Sequence, residues 1–189
     1  MPFGPGRAWL VVRAADAADV AAVLQVRTLL PANWAAGLAE VRQAGVFVAP
    51  PVDGFVFAVG ADLSADGRDV ARFVVPLVER LAARYGGAAW FRCDGAADRF
   101  GWAVATRAGL ERGYAYDGEH GHVWSHGPIT TAEEELGCFV DDPRDTSDDD
   151  VKWWPDERVV LDLAAAWSRD PRRLGERPVP PAVGWVGRL

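Results

Sequence analysis

Apolar and polar positions alternate most regularly over residues 88–126, where WFRCD, RFGWAVATRAGLERGYAYD and EHGHVWSHG carry aromatic residues at every second position between glycine-bearing turns. A period of two is the period of a strand, so this segment predicts a four-strand antiparallel meander with one packed face. Phe100, Trp102, Val104 and Thr106 share one side of their strand, and Leu110, Arg112, Tyr114 and Tyr116 one side of the next. Small residues occupy the other side (Gly101, Ala103, Ala105, Gly113, Ala115), a surface that a helix can approach closely.

Upstream, residues 8–13 form an apolar run that predicts a first strand, and Asp16 or Asp19 caps a helix bearing Val20, Val23 and Leu24 on one face. Leu30-Pro31 ends that unit. Asn33 offers another cap before Trp34, Leu38 and Val41, and Gly45 supplies the stop. Residues 46–60 read as two strand-forming runs around Pro50-Pro51-Val52-Asp53-Gly54, a hairpin or strand pair. Val70, Phe73, Val74, Leu77, Val78 and Leu81 then keep a helical period to Tyr85 and Gly86-Gly87, with Pro76 predicting a kink or a split. After the meander, Thr130 or Thr131 with Glu133 or Glu134 gives a capping-box signature for a short helix. From Asp156, the positions Val160, Leu163, Ala164 and Trp167 predict a last helix, closed by Asp170-Pro171. The remaining tail is proline-rich and expected to be extended, with Trp185 as its anchor.

This order implies an α+β fold: a mostly antiparallel twisted sheet of six or seven strands, with helices packed mainly on one face. At 189 residues the chain suits one domain spanning 1–189, with an acidic loop at 141–150 and a Pro-rich tail at 171–189.

Composition adds origin and compartment. Lys152, Ile129 and Asn33 are the single residues of their types, a bias expected of a GC-rich bacterial genome. The apolar run near the N-terminus is too short for a signal-peptide core, and no stretch approaches a membrane span, so a cytoplasmic protein with no membrane partner is the expectation. Cys93 and Cys138 lack CxxC or zinc-ligand spacing and read as reduced thiols. A net charge of −7 argues against nucleic acid as a partner. Between positions 141 and 157 eight acidic residues face only Arg144 and Lys152, so this stretch holds six of the seven net charges.

FVAPPVDGF and LAAAWSRDP resemble blocks found in uncharacterised proteins of high-GC, actinobacterial-type bacteria. The resemblance implies a bacterial origin and a single domain, and carries no catalytic residue with it.

Candidate chemistry is sparse. His120, His122 and His126 fall within seven positions, which raises a metal site. On a straight strand rising roughly 3.3 Å per residue, His122 and His126 stand about 13 Å apart, too far to share an ion. That leaves His120 and His122 as the candidate metal pair, with Asp117 or Glu111 as further ligands. Asp145, Ser147, Asp149 and Asp156 match part of a calcium-loop count, but Asp150 stands where the loop needs glycine. Ser125 and His126, as strand neighbours, point to opposite faces and form no nucleophile pair. No complete catalytic set or cofactor motif is visible, so no cofactor is expected.

What remains is a surface. Asp148, Asp149 and Asp150 beside Trp153 and Trp154 combine steering charge with anchoring rings, and Asp53 sits on a rigid turn fit for display. These residues are the candidate binding surface. The expected function is binding of another protein with a basic surface, as an acidic immunity or inhibitor-type partner of a toxin or enzyme. The alternative is a small hydrolase or metal-dependent enzyme built on His120 and His122.

Overall fold

The computed structural model describes residues 6–140, 153–174 and 182–189. Its organising strand is β1 (Arg7–Arg13), whose residues 8–12 are all buried. A strand covered on one face alternates buried and exposed residues; an unbroken buried run requires cover on both. Leu10 and Val12 point into one core and Trp9 and Val11 into a second.

Among the described residues eight further strands join β1 in a nine-stranded antiparallel sheet, in the order β2-β9-β3-β4-β1-β5-β6-β7-β8. They are β2 (Arg27–Ala32), β3 (Val46–Val48), β4 (Phe55–Val59), β5 (Gly87–Asp94), β6 (Arg99–Thr106), β7 (Gly109–Asp117), β8 (Gly121–His126) and β9 (Gly184–Arg188). The general α+β class is as expected; the strand count is not. Two strands lie beyond the expected six or seven. β2 follows α1 (Ala17–Leu24) where Leu30-Pro31 suggested only an ending, and β9 inserts the end of the tail between β2 and β3. β2 is an edge strand with a bulge between Arg27 and Leu30, and Pro31 lacks an N–H, two features that blunt an edge against further pairing.

The expectation that helices sit mainly on one face is corrected. α1 and α3 (Val75–Tyr85) cover the first core, α3 lying over the small-residue side of β5, β6 and β7. The second core is covered by α5 (Glu157–Trp167), with α2 (Trp34–Glu40) and α4 (Thr131–Glu135) packing at its margins. The long helical period splits at Pro76. A π-helical turn over Val70–Val74 precedes α3, whose first turn tolerates the proline because its N–H would have no helical partner there. No helix of the described residues is long and apolar enough to cross a membrane.

Bulges re-aim three side chains in the meander. An extra residue, Glu111, between the pairs Val104↔Arg112 and Ala105↔Leu110 turns Leu110 onto the first core, away from Arg112 and Tyr114. Between Ala115↔Trp124 and Tyr116↔His122, Val123 is the extra residue, so Val123 and Trp124 both reach the first core. Gly113 makes room there: a Cβ on it would lie 2.1 Å from the Trp124 ring.

Arg112 and Glu133, both almost fully buried, tie α4 to the sheet. Arg112 Nε donates to both Glu133 oxygens at 2.9 and 3.0 Å. Glu133 also accepts from Trp102 Nε1 at 2.8 Å and from the Thr130 N–H and hydroxyl, both 2.8 Å, which closes the capping box. The Arg112 Nη1 group reaches Gly113 O, Ser125 Oγ and His126 O, linking β7 to β8. Removing one partner strands the other charge in the core. Arg112→Met should cost about 3–5 kcal/mol in chemical denaturation, and adding Glu133→Leu should recover part of the loss.

Candidate functional site

The structure separates the two candidate metal histidines. His122, opposite Tyr116 on β8, turns into the second core's aromatic wall and hydrogen-bonds the Tyr114 hydroxyl through Nδ1. Burial raises the Tyr114 phenol far above its ordinary value and holds the His122 imidazole below its own. Both groups are therefore neutral at pH 7, and one hydrogen bond joins the Tyr114 hydroxyl to His122 Nδ1.

His120 lies in the β7–β8 turn with Asp117 and Glu119, the three offering ligand atoms within 4.8 Å of one another. Asp117 is already engaged. Its Oδ2 accepts from Arg99 Nε at 2.9 Å, and its Oδ1 accepts the Glu119 N–H at 3.1 Å and faces His120 Nδ1 at 3.3 Å. Burial pulls the Asp117 pKa up, but His120, the Glu119 N–H and Arg99 together hold it below the ordinary carboxylate range. A carboxylate saturated by a guanidinium and its own turn is a turn-closing group, and the Arg99 charge opposes a cation at the same place. Glu111, the other proposed ligand, accepts instead from the Thr106 hydroxyl at 2.9 Å. His120 faces a hollow of about 310 Å³ with Asp66, Asp69 and Val123, and Arg99 bridges Asp66 to Asp117 across it.

Trp153 and Trp154 part company. The Trp153 ring stacks parallel to His122, with centroids 6.5 Å apart, and lies 4.6 Å from Phe139 and 6.2 Å from Tyr114. Trp154 beside it is 45% exposed. Phe139 takes a left-handed backbone (φ 62°), which a bulky residue adopts only under constraint; here its ring is held edge-on to Tyr114 at 4.9 Å, with the Arg112 guanidinium 5.3 Å from its centroid. Val140, the next residue, is 61% exposed. Phe139 and Trp153 thus bring the two sides of residues 141–152 to one point on the sheet. Asp148, Asp149 and Asp150 lie outside the described residues.

Asp53 is placed elsewhere. With Gly54 it forms a two-residue hairpin closed by Val52 and Phe55, both Asp53 and Gly54 having positive φ, as a type I′ turn requires. Its carboxylate pairs with Arg169 at 2.5 Å, which fastens the turn to the chain leaving α5.

The site residues that sequence reasoning missed are Phe139 and Val140. GCFV after α4 is an apolar run with no period, and only the positive φ of Phe139 sets its ring against Trp153.

The thiols offer no nucleophile. Burial first, then the nearby Glu157, pushes Cys93 up to about 12; burial and then Glu133 push Cys138 up to about 12. Neither should react with Ellman's reagent at pH 8 in the native protein, and both should react once it is unfolded. The depressed pKa of His122 predicts a pH effect. Its stabilising contribution is complete above about pH 6.5, the ordinary histidine value, and is lost as pH falls through the lower native value, because the unfolded chain binds the proton first. Thermal melts between pH 7 and 5 should show this decline, and His122→Gln should flatten it. No protein-family model, curated protein or solved structure matches the chain, so its function has to be sought in the chemistry of these residues.

Proposed function

We propose that this is a cytoplasmic bacterial protein that works by binding another protein with a basic surface, in the manner of an immunity or inhibitor protein. The observation that carries the reading is the Phe139–Trp153 contact. It gathers the two ends of a segment holding six aspartates against Arg144 and Lys152, and sets exposed Trp154 and Val140 beside them. Carboxylates raise the encounter rate with a basic partner, and an exposed ring next to them supplies the apolar contact that slows release.

In this reading Trp153 and His122 form the footing of the surface, and Trp154, Asp148, Asp149 and Asp150 meet the partner. Division of labour follows from their environments: Trp153 is stacked within the fold, whereas Trp154 has nearly half its surface in water.

Asp148→Arg, Asp149→Arg and Asp150→Arg combined should slow association by about tenfold or more at low salt and flatten its salt dependence. Affinity capture from a bacterial lysate at low and high salt identifies the partner, and stopped-flow mixing then measures the rate. Unchanged association in the triple variant would contradict the acidic surface. Trp154→Ala should mainly raise the dissociation rate, leaving the salt dependence in place.

A further inference from the structure

A hollow of about 610 Å³ opens at the end of the sheet where α3 and α5 finish, within the roughly 300–1,000 Å³ range of small-molecule sites. Tyr85 packs on the first core and Trp167 on the second, so the hollow takes in strand ends from both sides of the sheet. Its floor is made of small residues from neighbouring strands, Gly87 and Ala88 of β5 and Ala105 of β6. Its walls are three aromatic rings, Phe55, Tyr85 and Trp167.

Gly87 is the informative residue. Gly86 before it caps α3 with φ +96°, a conformation that favours glycine. Gly87 has no such need: its φ is outside the left-handed region, and a Cβ on it would meet nothing closer than 3.8 Å. Glycine weakens a strand, and one that neither backbone nor packing demands marks a place kept open for close approach.

The charge at the hollow is a single guanidinium. Arg13 is the one charged residue of the lining; it lies over the Phe55 ring at 4.9 Å and has no carboxylate partner among the described residues. Asp53, close by on the hairpin turn, is matched by Arg169. One guanidinium suits one carboxylate, which it binds through two parallel hydrogen bonds, whereas a phosphate dianion calls for more cations. We propose that this hollow binds a flat aromatic carboxylate, its ring over Gly87 and Ala105 between the aromatic walls and its carboxylate on Arg13.

The test is a titration of the intact, isotope-labelled protein with 1-naphthoate, and separately with 1-naphthylmethylamine as the charge-reversed control, followed by amide shifts. Naphthoate should shift the amides of Gly86, Gly87, Ala88, Thr106 and Ser168 in a saturable way, and should bind better than the amine. Arg13→Gln should weaken naphthoate by about tenfold or more and leave the amine unaffected. Gly87→Val should abolish binding without lowering the melting temperature. Ala166→Leu, on an exposed α5 position of the same lining, blocks the hollow without touching a strand and should do likewise even if Gly87→Val folds poorly. Equal binding of acid and amine, shifts scattered away from these residues, or binding that survives Ala166→Leu would overturn the assignment.

Discussion

The buried pair of Arg112 and Glu133 is the interaction on which the candidate surface depends. Two charges with almost no access to water persist because they are hydrogen-bonded to each other and to their surroundings: Trp102 and Thr130 add donors to the carboxylate, and Gly113 O, Ser125 Oγ and His126 O accept from Nη1 of the guanidinium. Fixing Glu133 fixes α4, and fixing α4 sets where the chain turns at Phe139. From there the constraint passes through packing. Phe139 is held against Tyr114 and Arg112, Trp153 against Phe139 and His122, and Trp154 is thereby left at the surface.

Two kinds of polar group recur in this fold, with opposite consequences. Asp117, His122 and Asp53, which looked like chemistry in the sequence, are each engaged by a neighbour: Arg99, Tyr114 and Arg169. Their hydrogen bonds close turns and register strands. Arg13 and the exposed Trp154 are not absorbed in this way, and they are where ligands are proposed. The two sites occupy different places, one beside β7 and β8 and the other at the strand ends between α3 and α5.

Much of the fold was legible because periodicity and caps are local. Asp16, Asn33, Thr130 and Asp156 cap α1, α2, α4 and α5, and the aromatic alternation of the meander gives β5 to β8. The errors came from non-local facts. β2 and β9 are strands through pairing with each other and, for β9, with β3, residues more than a hundred positions away. The buried run of residues 8–12 did contain the signal for helices on both faces, since a strand with one wet face would alternate. Of the candidate site, the split between Trp153 and Trp154 follows from packing that no spacing encodes. The separation of His120 from His122 depends on a turn that sets the first with Asp117 and on a bulge that leaves the second facing Tyr114.

The most direct measurement is site-specific photo-crosslinking in intact cells of the source organism, with a photoreactive phenylalanine analogue at Trp154 and, as control, at Leu30 on the opposite sheet edge, itself 61% exposed. One basic protein should be captured from position 154 and not from position 30. Capture at both positions alike, or at neither, would contradict the proposed binding surface.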